Sequence, residues 1–263
     1  RLCKIWYQME TRKIKKRREN VEHLEVKSLR KQIKIEEEEN GWTPKNWQTV
    51  FNNIKEMRKL GAPVDTMGCD QCHDLSSSEP EQRFQILISL MLSSQTRDHV
   101  THSTMLRLRE KGLNLEYVLK VDEKELAQLL KPVSFYNMKA KHIKITAQIL
   151  KDKFNGDIPQ SVKELCSLPG VGPKMAYLAM QAAWNKTEGI GVDTHVHRIS
   201  NRLGWVRKKT KDPEATRREL ESWLPKDFWV EVNHTLVGFG QTICLPRYPK
   251  CDECLNNKLC PSA

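Results

Sequence analysis

Lys174 and Asp193 are the two side chains whose types and surroundings point to covalent chemistry. Lys174 lies in Leu168-Pro169-Gly170-Val171-Gly172-Pro173-Lys174-Met175-Ala176, and Asp193 lies in the later run Val192-Asp193-Thr194-His195-Val196. An amine at the start of one helix and a carboxylate at the start of the next make a nucleophile and its electrostatic partner. A lysine at its ordinary pKa of about 10.4 is neutral in only about one molecule in 2,500 at pH 7, so it needs help to attack carbon. Partial burial and a helix N-terminus both disfavour an ammonium, and both are expected at Lys174. Asp193 has a competing explanation, because Asp-Thr-His opens a helix running through Ile199 to Leu203 and Asp193 would be its N-cap.

The lysine is preceded by a turn of unusual composition. Gly170 and Gly172 flank a single apolar residue, so the backbone there turns tightly and approaches a ligand where a Cβ would collide. Pro173 suits the first helical position, where its missing N–H costs nothing. Backbone amides at such a helix start, with the positive end of the dipole behind them, bind anions such as phosphate. A glycine turn between two packed helices is the competing reading of Gly-x-Gly alone.

The elements that must position these groups read as helices from Thr43 onward. Trp47, Val50, Phe51, Ile54 and Met57 recur at helical spacing, as do Phe84, Leu87, Ile88, Met91 and Leu92 ahead of the polar Ser93-Ser94-Gln95-Thr96. Further helical segments are expected at 122–130, 139–154, 161–168, 173–184, 193–203, 212–224 and 226–239. Asp122, Ser161 and Asp212 suit N-caps, and Pro213 suits a first turn. Alternating strand patterns are almost absent, so the expected fold is all-α with short connections.

Composition bounds the partner. The 263 residues carry 44 Lys+Arg against 33 Asp+Glu, a net charge of +11, which suits a ligand with many phosphates. A ribosomal or membrane-surface protein would share that balance. No apolar run approaches the roughly 20 residues needed to span a bilayer. Of the eight cysteines, four crowd the C-terminus, and no secretory signal is legible, so a reducing compartment is expected. Arg12-Lys13-Ile14-Lys15-Lys16-Arg17-Arg18 and Glu36-Glu37-Glu38-Glu39 mark residues 1–41 as a poorly ordered tail. Its basic block suits a nuclear address or a nonspecific DNA contact, and its acid-poor opening also suits a mitochondrial transit peptide.

Cys244, Cys251, Cys254 and Cys260 are spaced C-x6-C-x2-C-x5-C. Only Cys251 and Cys254 form a close pair, and local spacing leaves structural zinc and an iron-sulfur cluster both open. Cys69 and Cys72 make a second C-x2-C beside His73, but no further pair completes a site, so they are read as non-ligand thiols. His195 and His197, two residues apart on a helix, point to different sides and do not share a metal.

Leu-Pro-Gly-Val-Gly-Pro-Lys followed by Val-Asp-Thr-His-Val-x-Arg resembles the helix-hairpin-helix and catalytic pair of the endonuclease III family of DNA glycosylases, and the four-cysteine spacing is that family's. The resemblance runs from about Trp42 to Pro261, and three ordered motifs make it specific. It implies that Lys174 is the Schiff-base lysine, Asp193 the assisting carboxylate, and the four cysteines the ligands of a [4Fe-4S] cluster. It also implies DNA contacts at Gly170, Gly172, Thr194 and His195. Gln95 takes the position of the plug that enters the vacated base stack. Phe135 takes the apolar wedge position, where bacterial members place an aliphatic residue; a packed loop aromatic is the competing explanation. Arg247 and Lys250, in Pro246-Arg247-Tyr248-Pro249-Lys250, would meet phosphates beside the cluster.

The same resemblance implies two helical domains with a DNA-binding cleft between them. A helical-barrel domain at 78–190, carrying the hairpin, is inserted into a cluster domain formed by 42–77 plus 191–263. The implied activity is a bifunctional DNA N-glycosylase and abasic-site lyase of base excision repair. Its expected partner is double-stranded DNA holding an oxidised pyrimidine or an abasic site. A monomer in the nucleus, and also in the mitochondrion, is expected. Three rival readings are a monofunctional relative such as an adenine glycosylase, which typically lacks a lysine at position 174, a non-catalytic DNA-binding scaffold, and an iron-sulfur electron carrier, which leaves Lys174 and Asp193 unexplained.

Overall fold

Helices joined by tight turns make up the chain, and no strand occurs among the described residues. A computed structural model describes residues 41–263; the basic block 12–18, the acidic run 36–39 and the addresses read from them lie outside the described residues. The helices are α1 (Trp47–Arg58), α2 (Pro63–Met67), α3 (Glu79–Ser93), α4 (Asp98–Glu110), α5 (Leu115–Lys120) and α6 (Glu123–Leu130). They continue with α7 (Tyr136–Lys153), α8 (Val162–Leu165), α9 (Pro173–Trp184), α10 (Thr194–Arg202), α11 (Pro213–Glu221) and α12 (Trp229–Thr242).

Start signals in the sequence are realised as caps. Asp122 accepts the amides of Lys124 and Glu125, Ser161 that of Glu164, and Asp212 that of Ala215. Ser78 and Glu81 form a capping box at the head of α3. The expected helix at 161–168 closes early, at Leu165, because Leu168 precedes Pro169 and is steered out of the helical region. The expected helix at 226–239 begins instead as a 3₁₀ turn, Lys226–Phe228, and α12 continues past Phe239 to Thr242. Helix α4 was not legible because its buried face includes Thr101 and Thr104, which break the apolar pattern.

Packing gathers the apolar residues into two groups. One cluster takes in buried residues from Cys72 to Met180. At its centre lies α3, buried continuously from Phe84 to Leu92, with Gln85 and Ser89 the polar residues in an otherwise apolar run. Helices α4, α7 and α9 pack on α3. Helix α12 packs on α1, α2 and α10, over a second group with Phe51, Trp205 and Leu236 fully buried. There Trp205 and Trp223 meet edge to face at 5.8 Å, and Trp47 meets Trp223 at 5.4 Å, an arrangement favoured by the ring quadrupoles.

Asp65 pins three of these helices. Its carboxylate accepts from Arg58 at the end of α1 and from His234 Nε2 of α12 at 2.7 Å, while it sits in α2. Burial pushes the carboxyl up, but the bonds from Arg58, His234 and the Ala62 amide outweigh it and lower the pKa to about 2.

Candidate active site and nucleic-acid interface

A cavity of about 1090 Å³ brings together segments far apart in the chain. The loop after α3 with Gln95, the first turn of α9 with Lys174 and the first turn of α10 with Asp193 all line it. Lys174 is the second residue of α9 and is half-buried. Its Nζ bonds to no described residue. Asp193 is the N-cap of α10: one oxygen accepts the Val196 amide at 2.8 Å, and the other has no donor among the described residues. The capping explanation for Asp193 is thus realised together with its place in the cavity. No ion pair joins Lys174 to Asp193, so amine and carboxylate each keep a face open to a ligand.

The hairpin that presents Lys174 is built as its composition demands. Gly170 has φ +78°, and a Cβ there would come within 2.6 Å of His142 Nδ1 on α7. Gly172 is extended, and a Cβ on it would meet open space. The first glycine is therefore required by the protein's own packing, whereas the second leaves room for something outside it. Pro173 occupies the first turn of α9, and the Gly172 carbonyl accepts the Ala176 amide at 3.0 Å.

The approach to Asp193 is fixed by hydrogen bonds. The Ile190 amide donates to Glu221 at 2.8 Å, and Glu221 is paired in turn with Arg217. Thr194 is exposed at the cavity, and half-buried His195 lies beside it. Burial lowers the His195 pKa against the pull of the Asp193 charge, and its Nδ1 lies 3.3 Å from Arg198 Nη2. His197 faces elsewhere, 2.6 Å from Thr216 Oγ1, so the two histidines do not converge.

Two further expected contacts adopt backbone conformations that such side chains seldom take. Gln95 has φ 51°, is exposed and lines the cavity. Phe135 has φ 57° and is 66% exposed, which overturns the packed-aromatic explanation. Among the described residues six non-glycine positions have positive φ, and three of them are asparagine, which tolerates it. The others are Gln95, Phe135 and Tyr248. Strain of this kind, held by the surrounding structure, gathers at functional sites. Tyr248 is 91% exposed between Arg247 and Lys250; its one sequence signal is an aromatic side chain in a basic loop. Arg247 is exposed with no partner among the described residues, whereas Lys250 is paired with Glu253 at 3.4 Å.

All four C-terminal cysteines line one small cavity. Among the described residues no three potential ligands stand close enough to share a single metal ion. Four thiols on one cavity supply the all-cysteine donor set that a [4Fe-4S] cluster takes. Charge fits too: Arg202 Nη1 donates to Cys244 Sγ at 3.3 Å and to the Leu245 carbonyl at 2.7 Å. Arg198 Nη2 donates to the Cys244 carbonyl at 2.8 Å. Helix α10 thus carries Asp193 at its head and grips the cysteine loop with two arginines one turn apart.

Lys139 escaped the sequence reading, although a lysine on the apolar stripe of Ala140, Ile143, Ala147 and Leu150 was a signal. It is buried, and Nζ donates to the Leu92 carbonyl at 2.7 Å, the Ser94 carbonyl at 2.6 Å and Thr96 Oγ1 at 3.2 Å. Asp98 was missed as well; Gln241 Nε2 donates to it at 2.7 Å and ties the head of α4 to α12.

Comparison with known proteins agrees with this arrangement. Residues 88–226 match the HhH-GPD family, described as HhH-GPD superfamily base excision DNA repair protein. Endonuclease III-like protein 1 of Gallus gallus is 56% identical over 223 residues, spanning 84% of this chain and 79% of that protein. Endonuclease III-like protein 1 of Bos taurus is 51% identical over 246 residues, 93% of this chain and 76% of its own length. A solved structure of a trapped endonuclease III–DNA covalent intermediate, an estranged-adenine complex, is similar at a TM-score of 0.69 and 31% identity, covering 82% of this chain and 95% of that one. With its hairpin, its lysine and aspartate on one cavity and its four-cysteine loop all in place, the chain belongs to the endonuclease III family within the HhH-GPD superfamily.

Proposed function

We propose that this chain is a bifunctional DNA N-glycosylase and abasic-site lyase of base excision repair. One observation carries the reading: an amine without a partner and a carboxylate with a free oxygen line a single open cavity, without neutralising each other. Lys174 in its neutral form attacks C1′ of an extruded nucleotide; the N–C1′ bond forms as the glycosidic bond breaks and the base leaves. Asp193 stabilises the positive charge developing on the sugar and assists proton transfer. The resulting imine acidifies C2′, whose proton is lost as the C3′–O bond breaks, which cuts the strand 3′ to the lesion.

Extrusion costs a few kcal/mol and leaves a gap in the stack. Gln95 fills that gap and Phe135 wedges the opposite strand, in keeping with their exposure and strained backbones. The amides at Gly170 and Gly172, with Thr194, His195, Arg247 and Lys250, hold the sugar-phosphate backbone. The partner is double-stranded DNA with an oxidised pyrimidine or an abasic site, bound by a monomer. The chain acts in the nucleus and also in the mitochondrion. The inserted domain is 78–190, and 42–77 plus 191–263 form the second; the separate grouping of apolar residues supports that division.

Cys244, Cys251, Cys254 and Cys260 would hold a [4Fe-4S] cluster. When bound it would cross-link the C-terminal loop through iron–thiolate bonds and supply no step of the reaction. A duplex carrying one oxidised thymine tests the function: the wild-type chain releases the base and nicks the strand, and Lys174→Gln binds without doing either. Equal release by both proteins would contradict the reading.

A further inference from the structure

Lys139 lies outside the reacting centre, yet it touches both strained segments that reach toward DNA. Its ammonium has three donors and meets three oxygens, two of them carbonyls at the end of α3 that no helical amide can satisfy. A cation at a helix C-terminus is also favoured by the dipole. The three acceptors, on Leu92, Ser94 and Thr96, bracket Gln95 on both sides. The Lys139 amide meanwhile donates to the Phe135 carbonyl at 3.0 Å, closing the first turn of α7.

Burying an ammonium is costly, and burial pushes this one down to about 8. A methionine would fill the same slot on α7 without that cost. Nor is Lys139 a phosphate contact, since it is only 7% exposed and every Nζ hydrogen has an acceptor. What the lysine provides, and an apolar residue would not, is a fixed geometry between the loop of Gln95 and the head of α7.

We propose that Lys139 is a positioning residue that locks Gln95 and Phe135 into one rigid unit, so that both enter the duplex together as the nucleotide is extruded. This rests on the glycosylase reading above. It makes Lys139 important where a base must be pulled from a pair, and dispensable where the base is already unstacked.

The test compares single-turnover base release by the full chain from two substrates, an oxidised thymine paired with adenine in a duplex and the same lesion in single-stranded DNA. Lys139→Met is expected to slow release from the duplex about tenfold or more, and from the single strand by less than about twofold. Circular dichroism melting checks that the variant is folded. Should it fail to fold, Thr96→Val, which deletes one acceptor and keeps the helix-end carbonyls capped, is expected to show the same duplex-only loss, about threefold. Equal losses on both substrates, or none on either, would overturn the proposal. No release by the wild-type chain from either substrate overturns the glycosylase reading itself, and the role of Lys139 with it.

Discussion

Lys174 and Asp193 line one cavity from the first turns of two successive helices, yet no ion pair joins them. A bonded pair would hold the amine as an ammonium and use up the carboxylate. Apart, they leave room for a sugar between them. Because Asn caps a helix about as well as Asp, Asp193→Asn isolates the charge from the cap. It is expected to leave the melting temperature nearly unchanged and to slow base release about 10²- to 10³-fold, as measured under single-turnover conditions. A large loss of stability with little loss of rate would reverse the assignment.

The two hairpin glycines separate folding from binding. Gly170→Ala places a side chain at φ +78° and drives its Cβ to 2.6 Å from His142 Nδ1, so a loss of about 1–3 kcal/mol is expected in urea unfolding. Gly172→Ala enters open space and should fold as well as the wild type, while weakening DNA binding. A Gly172→Ala chain that binds DNA unchanged would remove that residue from the interface.

How much of this was legible in the sequence depended on whether the signal was local. Caps at Asp122, Ser161 and Asp212, the glycine turn and the start of α9 at Pro173 all rest on neighbours within a turn, and all appear as read. Lys139 stood out only as a lysine on an apolar stripe; its partners were not legible because they come from the end of α3 and the loop after it, more than forty residues earlier, and only tertiary packing brings them near. Tyr248 gave no sign of its strained backbone, since left-handed geometry at a tyrosine is imposed by the surrounding loop rather than by its own preference. Asp98 was overlooked along with α4, whose buried threonines masked the helix.

Acid stability follows from Asp65. Its folded pKa of about 2 lies below the 3.8 of an ordinary aspartate, so the unfolded chain binds more protons between those values. The stabilisation this gives is fully present above the unfolded pKa and is lost as pH falls through the folded one. Chemical unfolding of wild type and Asp65→Asn should therefore differ most above about pH 4 and converge toward about pH 2. A gap that stays constant over that range would show that Asp65 acts by packing alone.

Arg247 and Lys250 should not be equivalent. Arg247 has no described partner, whereas Lys250 faces Glu253. Arg247→Ala is expected to lower the salt dependence of DNA binding by about one counterion, and Lys250→Ala by less. Fluorescence anisotropy titrations across a range of salt concentrations give both slopes; equal slopes for all three proteins would place the loop away from the phosphates.

In the proposed reaction one amine, that of Lys174, forms a bond to sugar carbon. Borohydride reduction during reaction with a duplex carrying one oxidised thymine, followed by mass spectrometry of the digested protein, tests it most directly. A reduced adduct is expected on the peptide containing Lys174, and none from Lys174→Gln despite retained DNA binding. An adduct on another residue, or undiminished trapping by Lys174→Gln, would contradict it.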